Sequence, residues 1–117
     1  MNSSVPHTRR IASNLLWTPA GVVRAPWVEL GPDGRVRASG VWSEADRMAG
    51  TEFYAGLLVL GFPEEFRAAF ERLCAAPEVP LAQSLPGLVT ECGRAVVLSG
   101  LDYETLCLTP RARIRAL

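Results

Sequence analysis

One histidine, three cysteines and two close carboxylate pairs are the residues of this 117-residue chain whose types could serve a reaction: His7; Cys74, Cys92 and Cys107; Glu64 with Glu65; and Asp102 with Glu104. A first-row metal site leans on several imidazoles backed by carboxylates. His7 is the lone imidazole and lies in a polar N-terminal stretch, so no metal site is expected. A Ser-His-Asp or Cys-His arrangement would have to recruit that same residue. Cys92, in Thr90-Glu91-Cys92-Gly93, is the best nucleophile by position; its other reading is a small buried hydrophobe on a helix face. Each carboxylate pair sits within one short segment, which suits a solvated face or a helix start as well as acid–base work. No GxGxxG or GxxxxGK[ST] run is present to cradle a phosphate. No catalytic residue, cofactor or metal is therefore assigned, and a hydrolytic enzyme is not expected.

Composition narrows the partners. Twelve cationic side chains, all arginine, balance twelve acids, whereas a nucleic-acid binder normally shows a basic excess. The charge is unevenly spread. Residues 1–42 hold five Arg against two acids, residues 43–110 four Arg against ten acids, and residues 111–117 three Arg. Two basic ends around an acidic middle suggest that the ends sit together. The longest apolar run, Ala55 to Phe62, is too short to span a bilayer and contains two glycines. The N-terminus lacks the apolar stretch of a signal peptide. An odd number of cysteines with no CxxC argues against a disulfide framework or zinc site and suits a reducing, cytoplasmic location.

The elements that would carry these residues begin after a loose tail, residues 1–8. Arg9 to Trp17 reads as a strand and Thr18 to Gly21 as a turn. Trp27 to Leu30 and Arg35 to Val41 read as a hairpin around Gly31-Pro32-Asp33-Gly34, the second strand half-buried because Val36, Ala38 and Gly40 alternate with Arg35, Arg37 and Ser39. Ser43 to Ala49 could form one helical turn. Thr51 to Tyr54 and Leu57 to Leu60 read as two short strands near Gly56. Pro63-Glu64-Glu65 is placed to open a helix, with Phe66, Ala69, Phe70 and Leu73 on one face. Leu81, Leu85, Leu88 and Cys92 are spaced for a second helical face, interrupted by Pro86-Gly87. Ala95 to Ser99 and Arg111 to Leu117 read as strands. Of Trp17, Trp27 and Trp42, at least two are expected in the core.

Phe53-Tyr54-Ala55-Gly56-Leu57-Leu58-Val59-Leu60-Gly61-Phe62 is an apolar strand ending in Gly-Phe. It is similar to the strand that enters the barrel of the metal-dependent amidohydrolase family, of the cytosine deaminase and chlorohydrolase type, through Pro-Gly-Phe, with Leu60 where proline is usual, and the resemblance covers most of the chain. The family's His-x-His metal motif would fall on Phe66 and Ala68, so both ligands are missing. Upstream, the Gly-Pro-Asp-Gly hairpin and Arg-Val-Arg strand resemble the family's N-terminal sandwich strands. Downstream, Pro77 to Ala82 and Thr90 to Ala95 resemble its last barrel helix, and Ala95 to Ser99 with Leu108 to Leu117 its closing sandwich strands. A (β/α)₈ barrel needs about 200 residues or more, and here only a short helical segment separates the halves.

The expectation is a mainly β chain with two helices (α+β), forming a single domain over 1–117. Residues 1–62 and 95–117 would build a composite β-sandwich, with 63–94 as the helical insert. What the resemblance implies is a non-catalytic, barrel-less amidohydrolase relative acting by self-association, most simply as a homodimer, or by binding another protein. The alternative is a small-molecule-binding or accessory regulatory protein. Phe62, Phe66, Phe70, Leu73, Leu81, Leu85 and Leu88 are the candidate interface, because removal of a barrel would bare an apolar surface there.

Overall fold

The computed structural model describes residues 9–32, 35–42, 51–91 and 93–117. The chain is mainly β with two short helices, and its strands hydrogen-bond into one mixed sheet. The strands are β1 (Arg9–Thr18), β2 (Gly21–Arg24), β3 (Pro26–Leu30), β4 (Val36–Val41), β5 (Thr51–Phe62), β6 (Arg94–Asp102) and β7 (Cys107–Ala116). Helices α1 (Phe66–Cys74) and α2 (Leu81–Ser84) fall between β5 and β6, and a 3₁₀ turn, Leu85–Gly87, follows α2. The sheet order is β4-β3-β1-β5-β6-β7, with β2 also on β1. Strands from both ends of the chain thus share one sheet, as expected, and they hydrogen-bond into that single sheet. Among the described residues β1 and β5 are the one parallel pair. No helix among the described residues is long and apolar enough to cross a membrane.

Apolar residues cluster on both faces. Leu57 and Val59 of β5 face one way with Val96 and Leu98 of β6, under Ala69 and Leu73 of α1 and Leu81 and Leu85 of the second helical segment. Leu58 faces the other way with Ile11, Leu16, Val28, Leu30, Ala95 and Val97. This two-sided burial explains the near-continuous apolar run in β5, where a strand with one wet face would alternate.

Several expectations are corrected. The two short strands around Gly56 are one strand, because β5 holds one more residue than β1 between Ser13–Tyr54 and Leu15–Leu57. Asn14 stabilises that bulge: its side-chain Oδ1 accepts the Gly56 N–H at 2.9 Å. Gly56 has φ +135°, and a Cβ there would strike the Leu98 carbonyl oxygen, so glycine is required. Helix α1 starts at Phe66 rather than at Pro63, because β5 runs on to Phe62, paired with Arg94, and Pro63 to Glu65 make the turn. The second helical segment shortens to α2 and its 3₁₀ turn, with Pro86 inside the turn and Leu88 beyond it. β2 escapes the sequence reading, and β7 begins at Cys107, ahead of the Arg111 start that the alternating pattern gives and one residue before the Leu108 start that the resemblance gives. β4 is exposed along nearly its whole length rather than half-buried, since it is an edge strand bulged opposite Glu29 and Leu30. The helical turn expected at Ser43 to Ala49 lies outside the described residues.

The insert is tied to the sheet at its ends. The Thr90 N–H donates to the Gly61 carbonyl at 2.8 Å, and the Leu81 N–H to the Leu106 carbonyl at 2.9 Å. Leu106, in the β6–β7 turn, takes a positive φ of 57°.

Candidate functional site

Asp102 and Glu64, one acid of each carboxylate pair, make structural contacts. The Asp102 carboxylate Oδ1 accepts the backbone N–H groups of Glu104 and Thr105 at 3.0 and 3.4 Å, closing the β6–β7 turn. Glu64 reaches Arg94 at 3.7 Å, and that guanidinium lies 4.9 Å from the Phe66 ring centroid. Cys74 and Cys107 are free thiols. Cys74 is exposed, yet partial desolvation, together with the Glu71 carboxylate, pushes its thiol above the ordinary value, which opposes thiolate formation. His7 and Cys92 lie outside the described residues. Among the described residues, no three His, Cys, Asp or Glu side chains converge as a metal cluster would.

The strongest polar constellation joins the two chain ends. Arg9 grips Glu52 with two parallel bonds, Nε to Oε2 and Nη2 to Oε1, both 2.8 Å. The Tyr54 hydroxyl donates to the same Oε1 at 2.7 Å. Hydrogen bonds from Arg9 and then Tyr54 lower the Glu52 carboxyl to about 2. Arg115, from β7, stacks on the Tyr54 ring at 5.0 Å. The carboxylate is held ionised by its donors, so it is suited to clamping strands and poorly suited to proton transfer near neutrality.

The seven candidate interface residues are brought together, but inside the chain. Phe62 and Leu85 are fully buried, Leu81 and Leu73 nearly so, and Phe66, Phe70 and Leu88 pack partly buried against the same cluster. The two helical segments supply enough apolar surface to cover the sheet face themselves. Trp17 joins this core, whereas Trp27 and Trp42 are only half-buried; they lie at the β3–β4 end, away from the helices.

Val22 on β2 and Tyr103 in the β6–β7 turn are exposed, and three further large apolar side chains are exposed on β4 and at the start of β5. Val41 is 64% exposed, Phe53 52% and Val36 43%. Register places Phe53, Ala12, Trp27 and Gly40 in one row across β5, β1, β3 and β4 on one face. The Trp42 indole meets Phe53 edge-on at 5.9 Å and donates its Nε1–H to the Ser13 carbonyl at 3.2 Å. The Arg10 guanidinium lies 5.5 Å from the Trp27 ring centroid and 3.6 Å from Glu29. Val36, Ser39 and Val41 pair with Leu30, Val28 and Pro26. They therefore share the opposite face with the second apolar cluster, since directly paired residues point the same way. Sequence reasoning missed this rim because it put the valines of β4 on different faces. The bulge at Arg37, with two residues of β4 opposing one of β3, puts them on the same face.

The edges of the sheet differ. β7 carries exposed Arg111, Arg113 and Arg115, with Pro110, which has no N–H to offer, the kinds of residue that discourage strand addition. β4 has no proline, and from Ala38 to Val41 it has no charge. In comparisons with known proteins, no family model, no curated protein and no solved structure matches this chain.

Proposed function

We propose that this chain is a non-catalytic, β-rich protein that acts through self-association, using the β3–β4 end of its sheet. The observation that carries the reading is the exposure of Val36 and Val41 on one face of β4, an edge strand that among the described residues pairs with β3 alone. Apolar groups gathered on the surface of a small domain mark an interaction site more often than chance. The non-catalytic part rests on the engagement of Glu52, Glu64 and Asp102 in structural contacts and on the raised Cys74 thiol.

A relationship to amidohydrolases that have lost the barrel belongs to the same proposal. Its support is the resembling segments together with the joining of N- and C-terminal strands in one sheet around a helical insert. A cytoplasmic location is likewise proposed, on the free thiols of Cys74 and Cys107.

Light scattering on a concentration series tests the association. A molar mass rising to twice the 12.7 kDa of one chain is the expected result. A mass that stays at one chain throughout contradicts the reading.

A further inference from the structure

The second apolar cluster does not stop at β3. Val28 and Leu30 are buried within it, yet the side chains next in line on β4, Val36 and Val41, stand in solvent on either side of Ser39, on the same face. The stripe therefore reaches the sheet edge unfinished. Beyond it lies a strand that pairs, among the described residues, with β3 alone.

We propose that a second copy of this chain adds to β4 as an antiparallel strand about a two-fold axis at Ser39, continuing both the sheet and its apolar stripe. This rests on the self-association reading above and assigns its edge and register. Two-fold pairing brings the same surface of each copy together, so a strand that serves must complement itself in reverse. β4 meets that requirement. With Ser39 facing Ser39, the Val41 of each copy falls opposite the Arg37–Val36 bulge of the other, and two valine pairs flank the centre on one face. Charge favours the same register. Ala38 to Gly40 of the two copies face one another about the axis, and Arg35 to Arg37 of each lies against the uncharged Val41 and Trp42 of the other, so the arginines are kept apart. The Arg37 side chain also lies against Gly31 of its own chain, where a Cβ would strike its Nε, which draws it back from the edge. Centring the axis on Ala38 would instead set Ser39 against the Arg37–Val36 bulge and Gly40 against Arg35, leaving the valines unmatched.

A cysteine at the axis tests the register, because opposed residues of antiparallel strands have Cα atoms about 4.5–5.5 Å apart, within disulfide reach. Ser39→Cys should form a covalent dimer under mild oxidation. Wild type, which reports on the native thiols, and Arg113→Cys on the β7 edge should not. The double variant Val36→Lys, Val41→Lys should reduce the mass in solution to that of one chain with its circular dichroism unchanged, since both side chains are already exposed. If that variant keeps the double mass, or Ser39→Cys links no better than Arg113→Cys, the β4 assignment falls while self-association stands. If wild type itself has the mass of one chain, both fall together.

Discussion

The guanidinium of Arg115 lies 5.0 Å from the ring centroid of Tyr54, bringing the last strand of the chain against the start of β5. Tyr54 in turn donates to Glu52, which Arg9 holds from β1. Arginines from the two basic ends therefore converge on an acid of the middle. Stacked cations and surface ion pairs are each worth about 1 kcal/mol or less. The cluster's contribution comes from linking three strands, β1, β5 and β7, around one carboxylate.

Acid should loosen this clamp. The Glu52 carboxyl is lowered in the folded chain from 4.5 to about 2. Its contribution to stability is therefore present above the unfolded value and lost as pH falls from about 4.5 toward about 2. The pair is more than a third exposed, so the loss should be about 1 kcal/mol or less after solvent screening. Urea midpoints of wild type and Glu52→Gln at neutral pH should differ, and the gap should close near pH 2. A gap that persists in acid would contradict the role given to the charge.

The last strand should be indispensable. Val96, Val97, Leu98 and Ser99 of β6 pair with Ala116, Arg115, Ile114 and Arg113, and Ala112 is part of the core. Removing residues 111–117 would bare the β6 edge together with buried apolar surface. The truncated chain should lose cooperative thermal unfolding or aggregate; a melting curve matching wild type would refute the topology.

Phe62 and Leu85 should behave as core residues rather than contact residues. Both are fully buried. Phe62→Ala should cost about 3–5 kcal/mol and Leu85→Ala about 2–5 kcal/mol, read as lowered denaturant midpoints at any protein concentration. Variants that weakened association while keeping the midpoint would return these residues to the interface.

Cys74 should alkylate sluggishly. Its exposed thiol is pushed up by partial desolvation and by Glu71, so less thiolate is present at a given pH than for a free cysteine. The rate with iodoacetamide, followed by mass at Cys74, should rise at a higher pH than for free cysteine. A rate profile displaced to lower pH would reveal an activating neighbour.

The sequence showed the class of this fold because its strongest patterns are local. Arg111 to Leu117 alternates cleanly, and exposed arginines and inward-facing Ala112 and Ile114 follow that pattern. Phe66, Ala69, Phe70 and Leu73 share a helical face that packs on the sheet. What local pattern cannot carry is register. The bulge at Gly56 depends on the distant Asn14 side chain, and the single facing of Val36 and Val41 depends on a bulge set by pairing with β3. The interface expectation went to Phe62 and Leu85 because their hydrophobicity is plain in sequence. Whether such a residue meets its own helix or another molecule depends on how much sheet the helices cover, and that is a tertiary quantity. The edge rim was the harder signal, since a valine on an edge strand has the same sequence signature as one in the core.

Sedimentation velocity of wild type beside the double variant Val36→Lys, Val41→Lys tests the central claim most directly. The account predicts a wild-type boundary that moves toward twice the 12.7 kDa chain mass as concentration rises, and a variant boundary that remains at one chain mass over the same range. Identical boundaries for the two proteins at every concentration would contradict it.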